Sequence, residues 1–153
     1  VNSVGVPGNV YGIDISNGML EVTQSKLKDS GIEGVKLSLG DARNLPFEDG
    51  SFDYVFMSFT LELFKSSDIQ VVLRESYRVL KEDGKIGIVA LSDRGSDNLM
   101  TRIYKWAHMK FPSYVDCRPI PLQDELIKAG FKIETAEEEE MWDLPLDIVV
   151  SKK

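Results

Sequence analysis

The segment from Asn9 to Ser16 constrains the fold of this chain more than any other stretch. It reads NVYGIDIS, a short and largely apolar run that leads into an acidic residue, Asp14. Such a run is typical of a buried strand in an α/β sheet. An acidic residue at the carboxyl end of that strand is placed to accept hydrogen bonds from the ribose hydroxyls of a nucleotide. The segment therefore favours a nucleoside-binding α/β domain.

The glycine-rich turn that usually accompanies such a strand is not found before it. In dinucleotide-binding sheets this turn comes about 20 residues ahead of the acidic residue. Only eight residues precede Asn9 in this sequence. We therefore expect a nucleoside-binding pattern that begins partway through.

Composition limits the other classes of function. With 153 residues, 42% hydrophobic and 28% charged, the chain has the make-up of one soluble domain, 1–153. A net charge of −7 argues against binding to nucleic acid or to an anionic membrane surface. No apolar stretch reaches the roughly 20 residues of a membrane span. The single cysteine, Cys117, allows no internal disulfide, which fits the cytoplasm.

The densest charge in the chain is the acidic run Glu137–Glu140. We interpret it as a solvated loop or strand edge rather than as a metal or partner site. No metal site is expected elsewhere.

Alternating apolar patterns predict an α/β fold with a mostly parallel, Rossmann-like sheet. The closing pair of strands is predicted to form an antiparallel hairpin. The predicted strands are 10–15, 35–39, 53–58, 85–91, 131–135 and 146–151, and the predicted helices are 17–30, 68–80 and 122–129.

Polar residues follow three of these strands. Asp14 and Asp41 end the first two, and Ser58 ends the third. In open α/β sheets ligands bind at the carboxyl ends of strands. Asp41 with the backbone amide of Ala42 suits an adenine edge, because the acid accepts from an amine and the amide donates to a ring nitrogen. The alternative is that each aspartate caps a helix or a turn.

Five segments of the chain resemble class I S-adenosylmethionine-dependent methyltransferases. The closer likeness is to the branch of small-molecule enzymes typified by the C-methyltransferases of ubiquinone and menaquinone biosynthesis. The segments occur in the order and spacing of that branch and run through essentially the whole chain: Val10–Ser16, Gly40–Phe47, Ser51–Val55, Arg78–Lys85 and Leu126–Phe131.

The resemblance implies S-adenosylmethionine as the cofactor. Asp14 would bind its ribose hydroxyls, and Ile15 and Met19 would line the adenine and ribose side of the pocket. For Met19 the alternative is core packing, since an apolar residue in the first turn of an amphipathic helix usually packs inward.

The resemblance also assigns contacts to the adenine edge and to the methionyl end of the cofactor. Asp41 and Ala42 would recognise the adenine amine and ring nitrogen, and Ser58 would lie near the methionyl end. The implied reaction is methyl transfer to a small acceptor that is apolar or aromatic.

Members of this family begin with a strand and a glycine-rich turn for which this sequence has no counterpart. We therefore expect an N-terminally truncated chain that lacks the first βα unit, with exposed edges on strands 10–15 and 53–58. Three explanations remain open: a fragment of a longer enzyme, a homodimer or strand exchange that fills the gap, or a sheet that closes across it.

The catalytic residues are not identified by the sequence. Residues 92–121 lie where the family builds a lid over the methyl acceptor. The candidates for acceptor contacts or for a base are weak, since each also suits packing or a surface position: Glu62, Tyr104, Trp106, His108, Phe111, Tyr114 and Arg118.

Two other functions remain open at this point. A nicotinamide-dependent oxidoreductase would share Asp14 but is not expected to show Gly40-Asp41-Ala42 or the closing hairpin. A catalytically impaired remnant would act at most as a binding or dimerisation module.

Overall fold

The computed structural model describes residues 8–93, 119–141 and 144–153. The chain divides into two compact units, Val1–Pro46 and Phe47–Lys153. Each unit has its own hydrogen-bonded sheet, with two strands in the first and four in the second.

The N-terminal unit is a strand–helix–strand motif. Strand β1 (Val10–Asp14) leads into helix α1 (Asn17–Asp29), and strand β2 (Val35–Leu39) returns parallel to β1. A Cβ on Gly12 would lie only 2.7 Å from the side chain of Leu37, so a larger residue at position 12 would push the two strands apart.

Helix α1 begins at a side-chain cap. The hydroxyl oxygen of Ser16 accepts a hydrogen bond from the backbone N–H of Met19, 3.3 Å away. Serine at this position satisfies one of the unpaired N–H groups of the first turn. The predicted first strand and first helix are confirmed to within one residue.

None of the described residues of the N-terminal unit is buried. Helix α1 has no buried residue, and its apolar Met19 and Val22 are 53% and 47% exposed. Since apolar burial is the main source of folding free energy, this unit contributes little to the core of the chain.

The C-terminal unit holds the larger sheet, whose strands are β3 (Phe52–Ser58), β4 (Leu80–Leu91), β5 (Lys132–Met141) and β6 (Leu144–Lys152). Their order in the sheet is β3-β4-β6-β5. Strands β3 and β4 are parallel, and β6 is antiparallel to both β4 and β5, which confirms the predicted C-terminal hairpin. The helices of this unit are α2 (Ser66–Val79) and α3 (Leu122–Lys128).

The core lies in this unit. Helix α2 packs on β4 with the apolar residues that occur at helical spacing along it, while every second residue of β4 faces the same interior. The buried side chains of these two elements include Ile69, Val72, Leu73, Val79, Ile86, Ile88 and Ala90.

One face of β3 carries exposed aromatic side chains. Tyr54 and Phe56 point away from the core and are 72% and 71% exposed. Phe56 pairs with Gly87, on which a Cβ would lie 3.4 Å from the phenyl ring. Among the described residues β3 pairs only with β4, and β1 only with β2.

The start of β4 differs from the prediction. Strand β4 begins at Leu80 rather than at Lys85, because Leu80 pairs with Phe52 before the register shifts. The residues 82–84, which lie between the predicted helix 68–80 and the predicted strand 85–91, belong to β4, and Asp83 has a positive φ of 67° there. The irregular pairing, rather than a chain reversal, accommodates the Asp-Gly pair.

Strand β5 is longer than predicted and contains the acidic run. It extends to Met141 and pairs with β6 as the outermost strand of the sheet. Glu137–Glu140 are all exposed, which confirms their interpretation as a solvated strand edge. Charged residues on an edge strand oppose pairing with other chains.

Arg78 joins the end of α2 to the turn before β3. Its guanidinium donates hydrogen bonds to the backbone oxygen of Phe47 and to a carboxylate oxygen of Asp49, both at 2.8 Å. It also pairs with Glu75, and these bonds raise the pKa of Arg78. Phe47 and Arg78 belong to two of the segments that carry the family resemblance. Their hydrogen bond gives both residues a structural role.

No helix among the described residues has the length and apolar character to cross a membrane.

Candidate functional site

Asp14 lies at the carboxyl end of β1, in the turn that leads into α1. Its Oδ1 accepts a hydrogen bond from the backbone N–H of Ser16 at 2.8 Å. Asp14 therefore does stabilise the turn, as one of the alternatives predicted. An ionised carboxylate has two oxygens and accepts several hydrogen bonds, so its Oδ2 is available to further donors.

A backbone hydrogen bond joins the ends of β1 and β2. The N–H of Gly40 donates to the carbonyl oxygen of Asp14 at 3.0 Å, one position beyond the last strand pair, Asp14 with Leu39. A Cβ on Gly40 would lie 3.0 Å from the side chain of Ile13. Glycine at this position therefore lets the chain pass close to β1 and enter the next turn.

Asp41 opens that turn and is engaged by Arg43. The turn closes through the N–H of Asn44, which donates to the Asp41 carbonyl at 2.9 Å. The Arg43 guanidinium binds both carboxylate oxygens, at 3.0 and 2.7 Å to Oδ2 and 3.1 Å to Oδ1. The side-chain and backbone hydrogen bonds from Arg43 hold the pKa of Asp41 below its ordinary value. Asp41 is thus an ionised, preorganised acceptor.

Ala42 lies between these two residues, in the turn itself. The turn hydrogen bond uses the N–H of Asn44, and the side-chain hydrogen bond to Asp41 uses that of Arg43. Neither bond uses the N–H of Ala42, which sits next to the Asp41 carboxylate in sequence. Asp41 and Ala42 are therefore neighbouring residues of one turn, of which the first has a carboxylate acceptor and the second a backbone donor.

Apolar side chains accompany these polar groups. Ile15 is 70% exposed, Leu39 is 60% exposed and Met19 is 53% exposed. The core-packing alternative for Met19 is therefore not what the structure shows. Leu39 was not among the predicted site residues, although its position opposite Asp14 follows once the strand register is known. Exposed apolar groups at a strand end suit a planar ligand such as a nucleobase.

Ser58 belongs to the C-terminal unit, at the end of β3, and is exposed. Its backbone oxygen accepts a hydrogen bond from the hydroxyl of Thr60 at 3.0 Å. The next residue, Phe59, has a positive φ of 49°. Its backbone N–H donates a hydrogen bond to the carbonyl oxygen of Val89 at 2.9 Å. A non-glycine residue in this conformation is strained, and such strain is common at functional sites.

Glu62 is the one buried glutamate among the described residues. Its side chain is 1% exposed, and Oε1 accepts a hydrogen bond from the backbone N–H of Leu91 at 3.3 Å. Burial raises the pKa of the Glu62 carboxyl. The sequence signal for Glu62 was weak, because burial of a glutamate depends on contacts distant in sequence.

The other residues predicted to contact the methyl acceptor, or to act as a base, fall outside the described residues. These are most of the predicted lid, residues 94–118, with Tyr104, Trp106, His108, Phe111, Tyr114 and Arg118. Within the part of the chain that the structure describes, no cluster of three or more histidine, cysteine or acidic side chains is placed to hold a metal ion.

Comparison with known proteins identifies the class. The family model described as a methyltransferase domain matches residues 2–88, which is more than half of the chain. The chain belongs to this methyltransferase domain family, a class whose cofactor is S-adenosylmethionine. The match confirms the resemblance stated from the sequence motifs.

A curated relative narrows the branch. Over 84 residues the chain is 45% identical to the demethylmenaquinone methyltransferase of Geobacillus sp. (strain WCH70). The match covers 55% of this chain but only 35% of that protein. The chain therefore resembles the menaquinone type of class I methyltransferase over part of that enzyme's length.

Solved structures confirm the Rossmann-like fold. An S-adenosylmethionine-dependent methyltransferase from Methanosarcina mazei superimposes with a TM-score of 0.74 at 18% identity, covering 95% of this chain and 82% of that one. One from Thermotoga maritima gives a TM-score of 0.72 at 23% identity, covering 93% and 72%. At these identities the similarity establishes the fold alone.

Replacement of Arg43 by glutamine should raise the pKa of Asp41. The variant removes the guanidinium that favours the ionised carboxylate, so the pKa should return towards the ordinary value of 3.8. Carbon-detected NMR of the Asp41 carboxyl between about pH 2 and 6 measures this change. Any stability linked to the lowered pKa is present above the unfolded-state pKa and is lost as the pH falls through the folded-state value.

The matched control is Arg74→Gln, which removes an exposed arginine of α2 in the other unit. It should leave the Asp41 titration unchanged. An Asp41 pKa that does not move in Arg43→Gln would show that the ion pair is not formed in solution.

Proposed function

We propose that this chain binds S-adenosylmethionine at the carboxyl ends of β1 and β2 and contributes to methyl transfer onto a small apolar or aromatic acceptor. The observation that carries the proposal is the pairing of two acidic strand ends in one unit. Asp14 and Asp41 follow adjacent parallel strands, joined by the hydrogen bond from Gly40 to Asp14. Exposed Ile15 and Met19 supply the apolar surface beside them.

Asp14 would hold the ribose. Two vicinal hydroxyls are both donors, and a carboxylate is the side chain that accepts from both. Oδ1 is already oriented by the N–H of Ser16, which fixes the direction of the carboxylate. A ligand would then find the acceptor preorganised, so little side-chain entropy is lost on binding.

Asp41 and Ala42 would hold the adenine. The carboxylate accepts from the exocyclic amine while the Ala42 N–H donates to a ring nitrogen, and the two groups are adjacent in one turn. Arg43 does not block this role, since each carboxylate oxygen accepts more than one hydrogen bond. The lowered pKa of Asp41 keeps the acceptor ionised.

Bound S-adenosylmethionine supplies an electrophilic methyl group on a sulfonium, and the protein's main task is to align the acceptor with it. We assign Ser58 to the methionyl end of the cofactor, because it follows the third strand of the motif series and is exposed. The relative's action on demethylmenaquinone supports an aromatic acceptor, and the acidic composition and single cysteine support a cytoplasmic location.

Calorimetric titration of the chain with S-adenosylhomocysteine tests the cofactor site. Asp14→Asn and Asp41→Asn should each weaken binding about tenfold or more, because each removes a charged acceptor of ligand hydrogen bonds. The matched control is Asp29→Asn, an exposed aspartate at the end of α1 in the same unit, which should bind like the parent chain.

The result is interpretable only with a folded chain, so far-ultraviolet circular dichroism accompanies each titration. A folded parent chain that gives no heat with S-adenosylhomocysteine contradicts the proposal. Equal weakening by Asp29→Asn would show a general charge effect instead of a site.

A second candidate function is self-association through β3, which the open face of that strand favours. Tyr54 and Phe56 expose two large aromatic rings, and the described residues leave one edge of β3 unpaired. We propose a second copy of the chain as the partner, since two identical edges related by a twofold axis satisfy each other's backbone groups. A purely structural module would use this face without methyl transfer.

Sedimentation velocity over a range of concentrations tests this association. The chain should sediment as a dimer, and Phe56→Glu should shift it to monomer by placing like charges at the interface. Ile127→Glu, at a residue of α3 that is 58% exposed, is the matched control and should leave the dimer intact. A monomer at all concentrations rules out the second copy as the partner.

A further inference from the structure

Glu62 lies in a short 3₁₀ turn, Leu61–Leu63, that follows strand β3. The turn places the glutamate inside the C-terminal unit, next to the fully buried Leu61 and with only 1% of its own surface exposed. Glutamate is rarely buried unless its carboxylate is fully paired. The position therefore needs an explanation that packing does not supply.

One oxygen of the carboxyl links the ends of two parallel strands. Oε1 accepts the hydrogen bond from the backbone N–H of Leu91, the last residue of β4, at 3.3 Å. Strands β3 and β4 run in register as far as Ser58 and Val89. Glu62 thus sits at the carboxyl ends of these strands, the place where open α/β sheets bind their ligands.

The other oxygen has no partner. Oε2 is buried and accepts no hydrogen bond in the structure. Buried polar atoms without a partner are few in native proteins, and each one points to a cost that something else offsets. The raised pKa of the carboxyl has the same origin, since burial disfavours its charged form.

The backbone that leads to Glu62 is strained but held in place. Phe59 has its positive φ of 49°, and its N–H is tied to Val89 at 2.9 Å. The hydroxyl of Thr60 donates back to Ser58. The turn is therefore fixed in a conformation that sequence alone does not favour, which is the pattern of a preorganised site.

We propose that Oε2 of Glu62 accepts a hydrogen bond from an O–H or N–H group of the methyl acceptor. This inference rests on the proposed function and narrows it, because it selects acceptors that carry a hydroxyl or amine. A donor bound there would complete the hydrogen bonding of the Glu62 carboxyl, whose Oε1 already accepts from Leu91 and whose Oε2 is without a partner. Glu62 would then discriminate against otherwise similar molecules that lack the donor.

Phenol and anisole are matched probes for this site, since they share a ring and differ in the hydroxyl hydrogen. In a chain with 13C-labelled glutamate, the Glu62 carboxyl signal is identified by its absence in Glu62→Gln. Phenol should shift this signal in a saturable manner and anisole should not. Phenol affinity should fall about tenfold in Glu62→Gln, since the amide oxygen would keep the hydrogen bond from Leu91 and the NH2 group left in place of Oε2 can only donate.

The control variant is Glu48→Gln, which changes an exposed glutamate of the turn before β3 and should leave phenol binding unchanged. No phenol response at Glu62, or an equal response to anisole, overturns the inference. If Glu62→Gln does not fold, through-bond correlation assigns the signal and the phenol–anisole comparison on the parent chain decides alone.

Performing the titration with and without S-adenosylhomocysteine separates this inference from the proposed function. Failure of S-adenosylhomocysteine to bind, with the phenol response retained, overturns the cofactor assignment and leaves the donor site at Glu62 standing. Normal S-adenosylhomocysteine binding with a silent Glu62 overturns the donor site alone.

Discussion

Parallel pairing of β1 with β2 is the interaction on which the candidate cofactor site depends. The register sets Asp14 opposite Leu39, and the hydrogen bond from Gly40 continues the ladder past the strands into the turn of Asp41. Asp14 and Asp41, which are distant in sequence, thereby lie at the carboxyl ends of two neighbouring strands. A shift of one residue would turn every side chain of β2 to the opposite face and separate the acid from the turn.

This pairing has little apolar support within its own unit. The described residues 8–46 include no buried side chain, while the core of the chain lies around α2 and β4. The same lack of cover leaves Ile15, Met19 and Leu39 accessible. Exposed apolar surface is unfavourable in water but is available for burial by a ligand or another chain. Cofactor binding and association with a partner are both ways to bury it.

Local patterns predicted much of the fold. Strand β2 was predicted at its observed bounds, and Asp14 and Asp41 were identified because acidic residues at the ends of apolar strands are visible in sequence. The engagement of Asp41 by Arg43 and the half-satisfied carboxyl of Glu62 were not predicted, since both depend on side-chain geometry. The early start of β4 was also missed, because the pairing of Leu80 with Phe52 joins residues distant in the chain.

The structure of the chain in complex with S-adenosylhomocysteine, by crystallography or by intermolecular NMR contacts, tests the central claim most directly. The account predicts ribose hydroxyls within about 3 Å of the Asp14 carboxylate and the adenine amine at a similar distance from Asp41. The adenine ring should contact Ile15 or Met19. A ligand bound away from the ends of β1 and β2, or one that leaves both carboxylates in solvent, would contradict it.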